Sequence, residues 1–544
     1  MALGLRRISV LLAVASLVAC GGTGDGSPRE DAGASDAAIA DAETGPDALQ
    51  IKPFPFDWVG IIGTGQSLAV GVEGLPVLST VQPYGNLKLY DSSPEPRYDG
   101  VGDQLSLVPL VAPFHEPLAT QSDRYPNNIM GETPNEGLGN QLSALTLALG
   151  GFDTVSVHSN VGASGRPMSW IDKGGTGNSY AASTYEATAI TALAAQEGRA
   201  IGYAAVMLTH GEADWDNDNY EQDLVQLWSD YNADLKAITG QAGDVLLLLS
   251  QQGTVPNMAE SIADSTVAQW RVGLDQPGRI LCTGPKYQYA YAADGIHLTA
   301  SQYRRLGIKT AEVLARAAVT GESWRPLQPA AVDPVRRVGP TTIEVVFDVP
   351  NPPLAWEDSL PRPHQSNIVE WAKGRGFEVW TAYPPLVALA IADVSIDGSS
   401  VLIEMAAALP DPGTPVSVGY ALFHDVASTS PPCSTYGLCG GTGEGRMGNL
   451  RDSDPLVGYD LTSVACNVTS GSSTITEAQA GGFATLSRTD LISGEGLPSG
   501  TTVMSVSGTE AVLSQPWTAP SGTATLAFSS DQRNSAVHFG LRLQ

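Results

Sequence analysis

Asp57-Trp-Val-Gly-Ile-Ile-Gly-Thr-Gly-Gln-Ser-Leu-Ala69 reads as the opening of an α/β domain. Its apolar run ends in Gly63-Thr64-Gly65, which predicts a buried strand breaking into a tight turn, and Ser67 falls where the next helix would begin. Such a turn lifts a side chain clear of the sheet and aims backbone N–H groups at the atom it attacks, so Ser67 is a candidate nucleophile. A serine in this place also suits the N-cap of the following helix. What favours chemistry is the far end of the region, where Asp294-Gly-Ile-His297-Leu-Thr299 supplies a carboxylate and a histidine three residues apart.

Between these two stretches, helical and strand patterns alternate. Helices are expected over 136–150, with Leu138, Leu142, Leu145 and Leu149 on one face, over 219–239 and over 260–274; a last one, capped by Thr299, is expected to run to 318. Strands are expected over 154–160, 201–209, 245–249 and 280–283. Near-continuous apolar strands in this order predict a parallel sheet covered on both faces, with ligands bound beyond the carboxyl ends of the strands. Residues 72–135, dense in Pro, Gly, Ser and Asp, read as a long irregular stretch forming one wall of a cleft. His158, inside a strand, reads as structural, and Cys282 as a small buried hydrophobe.

Four blocks now stand in order: Gly65-Gln66-Ser67, Asn160-Val-Gly162-Ala-Ser-Gly165, His210-Gly-Glu212-Ala-Asp214 and Asp294-Gly-Ile-His297. Together they resemble the motif blocks of SGNH (GDSL-like) hydrolases over residues 56–319, and the first and third look most like the sialate O-acetylesterase and acetylxylan esterase branch. The resemblance implies a flavodoxin-like, three-layer α/β fold with a parallel sheet, and hydrolysis without metal or other cofactor. It implies Ser67 as nucleophile, His297 as the base that takes its proton and returns it to the departing hydroxyl, and Asp294 as the acid that orients the imidazole. Asp294 also suits a plain cap of its own Asp-Gly turn. Glu212 is the rival acid, since it occupies the place of a glutamate regarded as acidic partner in that branch. The implied oxyanion hole comprises Ser67, Gly162 and His210. Two residues depart from the branch: His210 replaces a glutamine donor, and Leu68 replaces an asparagine. Gln66, Trp170 and Trp215 are candidate substrate contacts, and Tyr287, Tyr289 and Tyr291 suit either sugar stacking or core packing. Asp214-Trp-Asp216-Asn-Asp218 lacks the glycine and glutamate of a calcium loop and reads as a solvated turn.

The 544 residues predict several domains, and a net charge of −28 argues against nucleic acid as partner. Arg6-Arg7 before an apolar run over 8–18 has the form of a secretory signal, and Leu17-Val-Ala-Cys20 resembles a bacterial lipobox that would make Cys20 the lipidated first residue. Residues 1–19 are therefore read as signal peptide and 20–53 as a disordered tether, poor in large apolar side chains. Export makes a Cys433–Cys439 disulfide plausible. The hydrolase domain is assigned to 54–320. Past it, short strand-like runs over 338–349, 376–380, 394–404 and 416–422, with a last one over 535–543, predict an all-β sandwich over 321–461 plus 530–544. Residues 462–529 read as a small inserted all-β module, although a tandem arrangement fits the same pattern. The expectation is a serine esterase removing acetyl groups from carbohydrate, lipid-anchored to a bacterial outer membrane or cell surface. A lipase-like or aryl esterase, and a weakly active or inactive surface glycan-binding lipoprotein, are the alternatives.

Overall fold

The protein was analysed as a computed structural model, which describes residues 51–93, 104–115, 130–253, 255–256, 262–292, 294–358, 360, 362–365, 368–423, 438–439, 446–454, 458–460, 462–483, 486, 490–498, 501–530 and 534–544. The expected signal peptide, nearly all of the tether, Cys20 and Cys433 lie outside them, as does the side chain of Cys439.

The chain runs β1 (Trp58–Gly65), β2 (Leu87–Asp91), β3 (Leu105–Pro109), α1 (Pro134–Gly150), β4 (Val155–Gly162), α2 (Met168–Ile171), α3 (Ser179–Gln196), β5 (Ile201–Thr209), α4 (Tyr220–Thr239), β6 (Leu246–Gln251), β7 (Val255–Pro256), α5 (Asp264–Asp275), β8 (Ile280–Pro285) and α6 (Ala300–Ala315). One seven-stranded sheet has the order β3-β2-β4-β1-β5-β6-β8, parallel throughout except for β3, which runs antiparallel to β2. Within it, β4-β1-β5-β6-β8 is the doubly wound order of flavodoxin-like sheets, so the chain reverses direction of winding at β1. Ligand crevices form at such a switch point, and Ser67 lies just beyond the carboxyl end of β1.

Side-chain alternation shows why both faces are covered. Ile61, Leu248 and Leu281 point to a core built with Leu138, Leu142 and Leu145 of α1 and Ala311, Val313 and Leu314 of α6. Their neighbours Ile62, Leu247, Leu249, Ile280 and Cys282 point the other way, to α3, α4 and α5 through Ala187, Leu224, Leu227, Tyr231, Trp270 and Val272. Strands buried on both sides read as unbroken apolar runs, as these do.

The 72–135 stretch is corrected in part: β2 and β3 lie in it and extend the sheet. The expected helix after Ser67 is also corrected. Residues 66–73 form a bend and a run of turns, in which Val72 N donates to the Ser67 carbonyl (3.2 Å). Thr299 takes the N-cap position of α6, but its hydroxyl bonds to Ser301 rather than to a backbone N–H.

Helix α1 begins earlier than expected because Thr133 and Glu136 form a capping box, the Glu136 carboxylate accepting from Thr133 N (3.1 Å) and Oγ1 (2.7 Å). Burial and then the Glu132 charge push the Glu136 carboxyl up to about 8. A carboxyl raised on folding contributes stability that is full below its unfolded pKa and is lost as pH rises through the folded value. His115, His158 and His538, held down by burial to about 4, 3 and 3, add stability with rising pH up to about 6.5, so the fall in melting temperature should appear between about pH 6.5 and pH 8, and Glu136→Gln, which mimics the protonated side chain, should flatten part of it. Glu312, buried and raised likewise to about 8, and Glu186, pushed well above the usual carboxylate range by burial, retain the rest. Thermal melts across this range check it; an unchanged slope in Glu136→Gln refutes it.

Beyond α6 the chain is antiparallel β. One sheet joins Val335–Arg337, Thr342–Asp348, Ser400–Met405 and Ile391–Asp397, with Gln328–Pro329 paired to its second strand. A second joins Val387–Ala388, Phe377–Ala382, Ser417–Tyr420 and Phe539–Arg542. The single run expected over 394–404 is a hairpin, turning at Gly398 with φ +61°. Residues 462–529 contain a separate six-stranded sheet with its own core around Cys466, Trp517 and Phe528. Its first strand, Thr462–Val468, pairs with its last, Gly522–Ser529, so the chain enters and leaves side by side before Phe539–Arg542 rejoins the earlier sheet. The protein is thus an α/β unit around a mixed seven-stranded sheet, followed by β-rich units.

Candidate active site

The turn after β1 is fixed to both neighbouring strands. Gln66 N donates to the Thr209 carbonyl at the end of β5 (3.0 Å), and Ala163 N, just past β4, donates to the Gly65 carbonyl (2.8 Å). Gly65 has φ +136°, and a Cβ there would stand 2.0 Å from the Thr209 oxygen, so only glycine fits. Gly162 lies in register with Gly65, and a Cβ on it would meet Val70 Cγ1 at 2.9 Å. The side chains of Asn135 and Asn160 fill the space beside Gly63, and Asn160 Nδ2 donates to the Ala69 carbonyl (2.9 Å).

Ser67 is 8% exposed. The next residue, Leu68, is fully buried in a cluster with Tyr289, Tyr291, Leu298, Tyr303 and Leu306. That cluster explains the departure at position 68: Leu68, beside Ser67, packs with Leu298, beside His297. The two segments are joined again where Tyr303 Oη of α6 donates to the Val72 carbonyl (2.7 Å).

His297 sits on a hairpin closed by Ala292 N to the His297 carbonyl (2.7 Å) and by a bridge between Tyr291 and Leu298. Asp294 serves this hairpin twice. Its Oδ1 accepts from Ile296 N (2.9 Å) and His297 N (3.0 Å), while Oδ2 lies 2.5 Å from His297 Nδ1. The turn cap and the imidazole partner are thus one residue, and the two readings of Asp294 do not compete. Burial pushes its carboxyl up, but the hydrogen bonds from the His297 ring, His297 N and Ile296 N outweigh burial and hold it below the usual range. His297 Nε2 is buried and has no hydrogen-bond partner among the described residues.

Glu212 does not partner that imidazole. Its Oε1 accepts from Lys286 Nζ at 2.5 Å, an ion pair whose lysine side chain is fully buried. The alternative of Glu212 as orienting acid is corrected accordingly. His210 is corrected as an oxyanion donor. Its Nε2 lies 2.9 Å from the Arg166 carbonyl, which can only accept, so Nε2 carries the proton. Nδ1 lies 2.8 Å from Tyr220 Oη, and burial holds the ring's pKa down, so the neutral ring accepts there. No N–H is left over. Its carbonyl is held as well, accepting from Gln269 Nε2 of α5 (2.7 Å).

The remaining candidates divide. Tyr287, Tyr289 and Tyr291 are buried, which fits core packing, one of their two readings, and not sugar stacking. Gln66 is buried, and its Oε1 accepts from Ala213 N (3.4 Å). Trp170 is part-exposed with the Arg166 guanidinium 4.3 Å from its ring, and Trp215 is part-exposed on the loop after β5. The Asp214 carboxylate faces inward, its Oδ2 accepting from Met168 N (2.7 Å) and its Oδ1 from Asn217 Nδ2 (2.9 Å). It ties together the loops after β4 and β5. Lys286, Tyr220 and Gln269 carry no motif in the sequence, and their roles come from the fold.

No family model and no curated protein matches this chain. Among solved structures, one titled "Crystal structure of NanS" aligns with 48% of this chain and 97% of that one, at 11% identity and a TM-score of 0.28. So distant a likeness identifies neither family nor activity. The α/β class rests on the strand order given above.

Proposed function

We propose that this chain is a serine esterase that removes O-acetyl groups from carbohydrate. The observation that carries this reading is the Asp294–His297 pair, with Nε2 open, on a hairpin packed through Leu298 and Leu68 against the Ser67 turn. Ser67 attacks the ester carbonyl; His297 accepts its proton and delivers it to the leaving hydroxyl; Asp294 holds the ring and the imidazolium charge. Apo sites commonly show the serine and the base apart, closing on substrate. The oxyanion hole then consists of the N–H groups of Ser67 and Gly162, without His210. Export and a lipid at Cys20, with the enzyme facing acetylated glycans of the cell envelope, complete the proposal.

The test is release of p-nitrophenol from its acetate and butyrate esters by the chain from residue 20 onward, beside Ser67→Ala. Acetate is expected to turn over faster than butyrate, and Ser67→Ala to lose both. Butyrate preference moves the reading to a lipase-like esterase, and no turnover by folded protein moves it to a glycan-binding protein.

A further inference from the structure

A buried polar seam joins the carboxyl end of the seven-stranded sheet to the β unit built on Ser417–Tyr420 and Phe539–Arg542. Gln251, the last residue of β6, is fully buried and uses both ends of its amide there. Its Nε2 donates to the His538 carbonyl (3.0 Å) and to the Thr266 carbonyl of α5 (2.8 Å), and its Oε1 accepts from His538 N (2.9 Å). Tyr287, just past β8, donates from Oη to the Ala536 carbonyl (2.5 Å), and its ring meets that of His538 edge-on with centroids 5.1 Å apart. On the far side, the His538 ring is held by the Ala421 carbonyl, and the strand that His538 leads into pairs with Ser417–Tyr420. An amide that satisfies backbone groups of both units fixes one register between them, which an apolar contact would not.

The residues of the seam also support the hairpin that bears His297. Gly253, two residues after Gln251, lies so close that a Cβ on it would stand 2.6 Å from Tyr291 Oη and 3.4 Å from Tyr287 N. Tyr291 bridges Leu298 at the foot of that hairpin, and Tyr287 lies four residues earlier on the same segment. Contacts therefore run without a break from His538 through Gln251 and Gly253 to Tyr291, and from Ala536 through Tyr287. The Asp294–His297 pair is local, so it forms wherever its hairpin stands. Where the imidazole stands against Ser67 depends instead on the surfaces under the hairpin: Leu68 on one side, the end of β6 on the other.

We propose that Gln251 is a positioning residue of the esterase. By tying the end of β6 to the backbone of His538, it makes the β unit set the place of His297 relative to Ser67, so that this unit is part of the catalytic apparatus rather than a spacer. The proposal rests on the esterase reading.

The experiment measures kcat, KM and the pH profile of kcat/KM on p-nitrophenyl acetate for the chain from residue 20 onward and for Gln251→Leu, well below both melting midpoints. The substitution keeps the bulk of the side chain and removes all three hydrogen bonds. Both kcat and kcat/KM should fall together about 10- to 100-fold, the scale of a displacement of about 1 Å between reacting groups. The acidic limb of the profile should stay at the parent's pH, because Asp294 and His297 move as one body. Val401→Ala, a core change in the other sheet of the β region, should lose stability and keep the parent's kcat. Unchanged kcat in Gln251→Leu, a change confined to KM, a shifted acidic limb, or an equal loss of kcat in Val401→Ala each overturn the positioning role and leave the esterase reading standing. Should Gln251→Leu not fold, Tyr287→Phe removes only the bond to Ala536 and should lower kcat about 2- to 10-fold; unchanged kcat there overturns the role as well. Failure of the parent to turn over p-nitrophenyl acetate removes both readings.

Discussion

Asparagine at position 294 is expected to lower kcat for acetyl ester hydrolysis about 10⁴-fold, the scale at which triad catalysis responds to loss of the orienting charge. The prediction is sharp because Asp294 has two duties that the substitution separates. Its Oδ1 accepts from Ile296 N and His297 N, and an asparagine oxygen can do the same, so the hairpin should survive. Its Oδ2 faces His297 Nδ1, and there asparagine presents an N–H₂, which favours the tautomer with the proton on Nε2. That tautomer cannot take a proton from Ser67. The carboxyl is held below its usual range, so the native charge persists across the working pH. Asp294→Asn should therefore keep its melting temperature while losing turnover, whereas Asp294→Ala should lose both cap and charge. Activity surviving in Asp294→Asn would return the role of acid to another group, and Glu212 is committed to Lys286.

What the sequence makes legible here follows from physical range. The parallel strands announce themselves because a strand buried on both faces needs unbroken apolar residues, as in Ile201–Thr209, where all nine are buried. The edge strand Leu105–Pro109 and its neighbour Leu87–Asp91 are part-buried, mix polar with apolar residues, and merge into loop composition. The hairpin Ile391–Met405 passes for one run because its turn, Asp397-Gly-Ser-Ser400, is brief. Asp294 and His297 are three residues apart, so their geometry is nearly local. Lys286 stands 74 residues from Glu212, and no local pattern links them. His210 shows the limit differently: a motif position says which strand end a residue occupies, but Tyr220 and the Arg166 carbonyl decide where the ring's proton goes.

Gly307→Ala should produce a large loss of stability in the α/β unit. Helices α1 and α6 cross in backbone contact. A Cβ at Gly307 would stand 1.9 Å from the Pro134 carbonyl oxygen, and one at Gly137 would stand 2.2 Å from that of Arg304. Neither obstacle is a side chain able to rotate away, so the helices must separate. Overpacking of this kind costs about 1–3 kcal/mol and more where backbone must move, which corresponds to a fall of roughly 2–4 °C in Tm for each kcal/mol in a domain of this size. The damage should also reach the site. Helix α6 starts two residues after Leu298, and its Tyr303 bonds the Val72 carbonyl that ends the Ser67 turn. Displacing α6 pulls Leu298 and Tyr303 away from Leu68, and with them the alignment of His297 on Ser67. Well below its midpoint, Gly307→Ala should show kcat reduced beyond its unfolded fraction. A control on the opposite face of the sheet, Val206→Ala, should lose stability with kcat near that of the parent. Parallel melts and kcat values for the two variants decide it: if Gly307→Ala loses stability with unchanged kcat, the contact between α1 and α6 supports the fold without aligning the site.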